Sequence, residues 1–244
     1  MHLRIAHYLT AISFVCVLTA ATQRAAAQQT WTSGHGDIGI AYEDGWDLHI
    51  HAEGAIIEGV EYPDDEFDAA DVRILLPAST QTVRPAGANW DPIGVSAGQP
   101  YWALPQTEVV GVPFVGFGTE EILSGDFAGD AITLTLTGVA SPSGTGNFSL
   151  YQTDAFGEPT FHASSADGLD ASDSLALNAE DHLHANLAFT EMGLWAITFE
   201  ASGTHSVHGF VTGEGTYLLG VVPEPGTAAM LLLSGVLALR RRTR

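Results

Sequence analysis

Lysine is absent from this chain of 244 residues, and arginine is scarce in its interior. Arg73 and Arg84 are the only arginines between residues 28 and 222, a span that holds 28 acidic residues and therefore has a formal charge of −26. A surface with this charge repels nucleic acid and anionic lipid, and it attracts cations. We therefore expect no nucleic-acid partner, and we interpret most of the acidic residues as a salt-tolerant extracellular surface.

Cysteine is nearly absent as well. Cys16 is the only cysteine, and it lies in an apolar run near the N-terminus. The rest of the chain therefore has no thiol to bind a metal and no disulfide to stabilise the fold. A zinc site in this protein would have to be built from imidazole and carboxylate groups.

Residues 1–27 have the features of a secretory signal peptide. Arg4 supplies a positive charge, residues 8–21 are largely apolar, and the three alanines at 25–27 fit a cleavage site that requires small residues. The apolar run is short for a membrane span. We therefore expect an exported protein whose mature chain begins at Gln28.

Residues 222–244 contain three elements in a fixed order. They are the tripeptide Pro223, Glu224, Pro225, an apolar segment at 226–239, and the basic residues Arg240, Arg241 and Arg242. This arrangement resembles the PEP-CTERM sorting signal of Gram-negative bacteria that carry an exosortase. The resemblance implies transient anchoring by a transmembrane helix in the inner membrane, with the arginines on the cytoplasmic side. It also implies cleavage by an exosortase-type protease and release to the cell surface or extracellular matrix.

The interior of the chain has the pattern of β-structure. Glycine and proline separate short segments in which apolar and polar residues alternate. At least eight strands are predicted, at residues 37–42, 46–52, 72–76, 131–139, 148–151, 183–189, 194–201 and 216–221. We predict one all-β domain over residues 28–221, an antiparallel β-sandwich of the jelly-roll or immunoglobulin-like type.

Two segments of the interior call for separate interpretation. Residues 85–118 combine five prolines with scattered aromatic residues, which predicts one long ordered insertion in the sandwich. Residues 191–195, Glu-Met-Gly-Leu-Trp, are similar to the Asp-x-Gly-x-Tyr corner of immunoglobulin-like sandwiches. That similarity implies a structural role for Trp195, which occupies the tyrosine position.

Two His-x-His pairs give the clearest chemical signal. Side chains alternate between the faces of a strand, so His49 and His51 share one face, and His182 and His184 share another. Histidine is the commonest ligand for zinc in a chain without thiols. We predict that the fold brings both pairs together around one metal ion, and that this ion is zinc.

Further candidates lie close to these pairs in the sequence. His35 is predicted as a fifth ligand because it lies in a glycine-containing turn one strand before the first pair. Asp37, Asp47 and Asn186 are weaker candidates, as ligands or as groups that orient the ligands. The remaining histidines of the interior are interpreted as surface residues, and they are His162, His205 and His208.

The histidine segments also resemble a known family. The segments are Gly-His-x-Asp-Ile-Gly at 34–39, Trp-Asp-Leu-His-Ile-His at 46–51, and His-x-His-Ala-Asn-x-x-Phe-Thr-x-x-Gly at 182–193. They are similar to the bacterial surface-anchored domain called choice-of-anchor M, in islands between residues 31 and 203. Some relatives are repressed by the zinc uptake regulator, and others accompany metal-type ABC transporters. The resemblance implies a metal-linked surface protein with a metal-uptake transporter component as partner.

Calcium is the alternative ion. Carboxylates cluster at residues 64–71 and again at 167–173, and calcium prefers such oxygen ligands. Neither cluster has the spacing of an EF-hand, so we interpret both as solvated loops.

Three functions remain open from the sequence. The first is a non-enzymatic surface protein that binds zinc and scavenges it or passes it to an uptake system. The second is a structural or adhesive matrix protein without a functional metal site. The third is a zinc hydrolase, with Glu43, Asp47 or Glu53 as the base, although neither His-Glu-x-x-His nor Gly-x-Ser-x-Gly occurs. We favour the first.

Overall fold

A computed structural model describes residues 28–222. The predicted signal peptide and the sorting signal from Pro223 onward lie outside these residues. Within the described part of the chain, no helix is long and apolar enough to cross a membrane. The fold there consists of strands and three short 3-10 helices.

The strands in chain order are β1 (Gln29–Tyr42), β2 (Trp46–Ala52), β3 (Ala55–Ile57), β4 (Val60–Tyr62), β5 (Asp65–Asp68), β6 (Val72–Leu76), β7 (Gln81–Val83), β8 (Pro100–Leu104), β9 (Pro113–Gly118), β10 (Ala131–Ala140), β11 (Phe148–Thr153), β12 (Pro159–Ser164), β13 (Ser174–Asn178), β14 (His182–His184), β15 (Asn186–Phe189), β16 (Gly193–His205) and β17 (Gly209–Val221). The 3-10 helices are Ala78–Thr80, Ala88–Ile93 and Ala128–Asp130.

The strands form two sheets, and the predicted all-β fold class is confirmed. The larger sheet follows the order β13-β10-β16-β17-β6-β1-β2-β5, with β3, β4, β9 and β14 attached through β1. The smaller sheet has the order β12-β11-β15-β8-β7. Most neighbours are antiparallel, but β1 runs parallel to both β6 and β9, and β17 runs parallel to β6. The larger sheet is therefore mixed, whereas the smaller sheet is purely antiparallel.

The long strand β1 connects the two halves of the larger sheet. Residues 29–31 pair with β6, whereas residues 36–42 pair with β2. The change of partner occurs near Gly34, which has a φ of +80° and lies so close to the Gly54 carbonyl that a Cβ would overlap it. Glycine tolerates this conformation because it has no Cβ. As a result, β5, β2, β1, β9 and β14 form one continuous surface of five strands.

The apolar face of β2 packs into the core, as its alternation predicts. Ile50 is fully buried and Leu48 is 8% exposed. Leu48 lies against Gly215 of β17, where an added Cβ would come within 2.6 Å of the Leu48 Cβ. The glycine therefore lets β17 approach the apolar face of β2 closely, which leaves the opposite, polar face of β2 free for other side chains.

The predicted insertion at 85–118 is wrong as an architectural unit. This segment contributes β8 to the smaller sheet and β9 to the centre of the larger one. Val115 and Phe117 of β9 are buried. They alternate with Gly116 and Gly118 rather than with polar residues, so the segment lacks the apolar–polar alternation that predicts a strand. Because the segment is rich in proline and glycine, these two core strands were not predicted from the sequence.

The predicted corner before β16 agrees with the structure. Trp195 is fully buried, and its Nε1 donates a hydrogen bond to the backbone carbonyl of Glu191 at 3.1 Å. The Glu191 carboxylate accepts hydrogen bonds from the backbone N–H and the hydroxyl of Ser143, at 3.0 and 2.9 Å. Gly193 has a φ of +132°, which permits the bend. The aromatic ring thus fixes the start of β16, as in a tyrosine corner.

Candidate metal centre

The predicted histidines lie on one polar face of the five strands β5, β2, β1, β9 and β14. The registers place His51 opposite Asp37, Asp37 opposite Gly116, and Gly116 opposite His184. Two residues along each strand, the next row of opposed residues begins with His49 on β2 and ends with His182 on β14. Each pair therefore points to the predicted side of the sheet, but β1 and β9 lie between the two pairs.

Four side chains on this face form what we call the inner cluster: His35, Asp37, His182 and His184. One nitrogen or oxygen atom from each lies within 4.8 Å of those from the other three. The Asp37 Oδ1 is 3.2 Å from His182 Nε2 and 3.5 Å from His35 Nε2. Gly116 beneath them is required, because a Cβ there would overlap Asp37 Oδ1 and come within 2.7 Å of His182 Nε2. The cluster is thus a group of potential metal ligands over a recess in β9.

Asp37 is the centre of the inner cluster. It is fully buried, and neither of its carboxylate oxygens has a hydrogen-bond partner among the described residues. Burial raises the pKa of Asp37 from 3.8 to about 6, against the opposing effects of His182 and His35. Buried polar atoms are nearly always hydrogen-bonded, and an exception calls for an explanation such as a bound ion. The arrangement of imidazoles around this carboxylate is suited to a cation.

His184 is held in the form that binds metals. Its Nδ1 donates a hydrogen bond to the backbone carbonyl of Val115 at 3.1 Å, which leaves Nε2 with a free lone pair. The ring stacks on Phe114, with centroids 3.7 Å apart. Burial lowers the pKa of His184 to about 4, so the imidazole is neutral at pH 7.

Two glutamates lie behind the other imidazoles of the inner cluster. His35 Nδ1 is 3.3 Å from the Glu53 carboxylate, and His182 Nδ1 is 3.1 Å from that of Glu120. Carboxylates in this position orient metal-binding histidines and make them more basic. Sequence reasoning considered Glu53 only as a base and missed Glu120. Glu53 could have been predicted on the histidine-bearing face from its i, i+2 spacing to His51, whereas no sequence pattern indicates Glu120.

Comparison with protein families, curated proteins and solved structures finds no match. The resemblances to the choice-of-anchor M domain and to the PEP-CTERM signal therefore stay predictions. The chemistry of the site is therefore the basis for a function, because a fold by itself does not define one.

The first His-x-His pair forms a separate group, the outer cluster, which consists of His49, His51 and Glu121. Its ligand atoms also lie within 4.8 Å of one another. The prediction that both pairs surround one ion does not hold in this structure. With β1 and β9 between them, the strands β2 and β14 are roughly 14 Å apart, which is too far for one set of ligands.

His51 interacts with several carboxylates around the outer cluster. Its Nε2 is 3.0 Å from Asp64 Oδ1, in hydrogen-bond geometry. Burial alone would lower the pKa of His51, but the Asp64 hydrogen bond and the charges of Glu53 and Glu121 raise it overall. Protons therefore compete with a metal for this imidazole more strongly than for His184.

Two weaker candidates from the sequence lie outside the clusters. The Asn186 amide nitrogen donates hydrogen bonds to Gln106 Oε1 and to the Tyr151 carbonyl, at 2.8 and 3.2 Å. Asn186 belongs to the smaller sheet, because the chain crosses between the sheets after His184 and the i, i+2 alternation stops there. Asp47 is exposed at the edge of the outer cluster, 4.0 Å from His49 Nδ1.

The remaining histidines also lie outside these clusters. His205 and His208 stack with their centroids 4.6 Å apart beside the β16–β17 turn, and His208 Nδ1 is 2.9 Å from the Tyr42 hydroxyl. The His205 Nδ1 accepts two backbone N–H bonds, so it is occupied. His162 Nε2 is paired with Gln152 Oε1 at 3.1 Å.

The second acidic cluster, at residues 167–173, serves its own loop. The Asp173 carboxylate accepts hydrogen bonds from the backbone N–H groups of Ser164 and Asp170, both at 2.8 Å. Asp170 accepts from the N–H and the hydroxyl of Ser172. The carboxylates of Asp170 and Asp173 are therefore occupied in holding the loop, and Asp173 is buried rather than solvated.

Proposed function

We propose that this protein is an exported, non-enzymatic zinc-binding protein of the cell envelope, and that the inner cluster holds the ion. The observation that carries the proposal is Asp37, a fully buried carboxylate whose oxygens have no hydrogen-bond partner among the described residues and which faces three imidazoles. A cation shared by these four side chains would remove the cost of burying Asp37 without a partner.

The geometry supports zinc. Four ligands at zinc bond lengths of 2.0–2.1 Å in a tetrahedron are separated from one another by about 3.3 Å. The Asp37 Oδ1 lies 3.2 and 3.5 Å from two of the imidazole nitrogens. Calcium requires six to eight oxygen ligands, and the inner cluster supplies one carboxylate among three nitrogens. Copper and nickel favour similar ligands, so the experiment includes them.

The ligand count supports binding rather than catalysis. Catalytic zinc sites keep a position open for water or substrate beside three protein ligands, whereas closed four-ligand sites hold the ion. The inner cluster offers four ligands. The formal charge of −26 over residues 28–222 would attract cations to the protein, which suits scavenging or transfer to an uptake system.

The proposed location follows from the sequence motifs. The signal-peptide features of residues 1–27 support export, and the resemblance of residues 222–244 to a PEP-CTERM signal supports sorting to the surface. The partners in this proposal are an exosortase-type protease and a metal-uptake transporter component. A tight metal site at the surface would give such a transporter a source of ions.

Metal content of the purified full-length chain tests the proposal. The chain, a His182→Ala/His184→Ala variant and a His205→Ala/His208→Ala control are equilibrated with zinc, copper or nickel and then with a weak chelator. We expect the parent and the control to retain a tight equivalent of zinc that the first variant has lost. The control removes the same number of imidazoles from outside the inner cluster.

Equal metal retention by all three proteins would contradict the proposal, provided that circular dichroism shows each of them folded. The structural or adhesive matrix protein would then be the better account. Retention of copper or nickel without any tight zinc would reject zinc as the ion and leave the inner cluster as its site, whereas tighter copper binding alone follows from the general order of metal affinities.

A further inference from the structure

We propose that the outer cluster is a second, exchangeable metal site that loads the inner cluster. This inference rests on the proposed function, because it assigns the inner cluster as the destination of the ion. It extends that function from holding one ion to capturing ions and moving them along the same face of the sheet.

His49 is the first argument for a second site. Its side chain is 4% exposed, and neither ring nitrogen has a hydrogen-bond partner among the described residues. The ring fills a recess that Gly39 provides, because an added Cβ there would overlap His49 Nε2. The same nitrogen lies 3.1 Å from Glu121 Oε1, without hydrogen-bond geometry. An ion between the two groups would give the buried imidazole a partner.

The outer cluster differs from the inner one in the number of its ligands. It offers two imidazoles and one carboxylate, so a tetrahedral ion would keep one position open to water. The Glu121 side chain is 36% exposed, whereas Asp37 is fully buried. An ion held here would therefore exchange with solvent more readily than one in the inner cluster.

An acidic cleft leads to the outer cluster. It has a volume of about 480 Å³ and is lined by the carboxylates of Glu43, Asp44, Asp47, Glu66 and Glu121. Glu121 belongs to both the cleft and the cluster. Clefts lined by one sign of charge raise the local concentration of counter-ions and their rate of association.

The carboxylates of Glu53 and Glu120 connect the outer cluster to the inner one. A ligand atom of His51 lies within 4.8 Å of carboxylate oxygens of Glu53 and Glu120. These two glutamates face the Nδ1 atoms of His35 and His182 in the inner cluster. An ion moving inward would thus gain new carboxylate ligands before it released His51, so it would never be fully stripped of ligands.

Zinc titration of the full-length chain against a chelating indicator tests the second site. We expect two equivalents in the parent, one tight and one weaker, and only the tight one in Glu121→Gln and in His49→Gln. Stopped-flow loading of the tight equivalent should be about tenfold slower in Glu121→Gln, because the cleft concentrates the ion at this residue. Glu61→Gln, an exposed strand residue outside the clusters, is the matched control.

The outcomes separate this inference from the proposed function. One tight equivalent that Glu121→Gln leaves unchanged and His182→Ala/His184→Ala removes would refute the second site and leave the proposed function intact. No tight zinc at all would overturn both. Two equivalents in the parent, together with an unchanged loading rate in Glu121→Gln, would refute the loading role. If His49→Gln does not fold, the partly exposed Glu121 still provides the test.

Discussion

At the scale of single residues, Asp37 is the most informative position. The buried carboxylate has two imidazole nitrogens within 3.5 Å but no hydrogen-bond partner among the described residues. Burial raises its pKa to about 6, which means that the metal-free folded state binds this proton more tightly than the unfolded chain does. Asp37 therefore favours folding at pH values below 3.8, and this contribution is lost as the pH rises through about 6.

Replacing Asp37 with asparagine should change stability in opposite directions with and without metal. In EDTA at pH 7.5, Asp37→Asn should be more stable than the parent by about 1–3 kcal/mol, because one pKa unit corresponds to about 1.4 kcal/mol. The gain should shrink towards pH 4. With excess zinc, the parent should be the more stable protein, because it binds the ion more tightly. Urea unfolding in EDTA at pH 7.5, in EDTA near pH 4 and with excess zinc measures these stabilities.

The exposed loop residue Asp167 provides the control for that experiment. Asp167→Asn removes the same formal charge without uncovering a buried group, so it should be neutral within about 0.5 kcal/mol in EDTA. A loss of stability in Asp37→Asn both with and without zinc would show that Asp37 has a purely structural role.

Gly116 provides a second test at the residue scale. Its backbone conformation is open to alanine, but a Cβ would overlap Asp37 Oδ1 and approach His182 Nε2 to 2.7 Å. We expect Gly116→Ala to lower zinc affinity by more than about tenfold, because metal ligands displaced by a few tenths of an ångström lose their geometry. Isothermal titration calorimetry measures the affinity.

Gly220→Ala on β17 is the matched strand control, since its added Cβ would meet only the flexible Arg73 side chain at 3.2 Å. It should bind zinc as the parent does. Equal affinity in the two glycine variants would show that the recess above β9 is not part of a metal site.

At the scale of elements, the segment from β14 to β15 connects the inner cluster to the rest of the fold. It begins in the larger sheet beside β9 and continues in the smaller sheet between β11 and β8. Gln152 Nε2 donates a hydrogen bond to the His184 carbonyl at 2.8 Å, across the point where the chain changes sheets. Two of the predicted ligands are thus fixed by both layers of the sandwich.

The corner before β16 should contribute to stability and not to metal binding. Trp195→Phe removes the Nε1 hydrogen bond to the Glu191 carbonyl and part of a buried ring, so we expect a loss of about 1–3 kcal/mol. Zinc stoichiometry should not change, because Trp195 lies outside both clusters. Thermal unfolding and metal content measure the two effects.

Trp102→Phe removes a similar volume from another buried position and serves as the comparison. The Trp102 indole makes no side-chain hydrogen bond among the described residues, so its replacement should cost about 1 kcal/mol less. Loss of zinc in Trp195→Phe while the protein stays folded would mean that the corner also positions the metal ligands.

At the scale of the whole molecule, the acidic surface dominates. The formal charge of −26 over residues 28–222 should destabilise the metal-free protein through self-repulsion. Raising sodium chloride from about 10 to 150 mM shortens the Debye length from about 30 to 8 Å, so the urea midpoint in EDTA at pH 7.5 should rise. In the full-length chain, whose formal charge is −21, the effect should largely disappear near the isoelectric point of about 4.5. A salt effect of equal size at both pH values would contradict the electrostatic explanation.

Local sequence patterns determined several features of this protein. Alternation identified strands such as β2 and β10 and showed that His49 and His51 lie on the polar face of β2, because side-chain direction along a strand depends only on the chain itself. The same reasoning placed His182 and His184 together on β14. The alternation rule failed after His184, because the chain changes sheets at Ala185 and a change of sheet is not a local property.

The tertiary structure decided which of these side chains meet. The alignment of β1 beside β9 put two strands between the His-x-His pairs, and it made Asp37 the centre of one cluster and Glu121 a member of another. These contacts depend on strand pairing between segments far apart in the sequence, and on Gly39 and Gly116, whose missing side chains leave the space that the ligands occupy. The sequence by itself determined that the chain has a polar, histidine-bearing sheet face, whereas only long-range pairing determined that this face carries two ligand clusters rather than one.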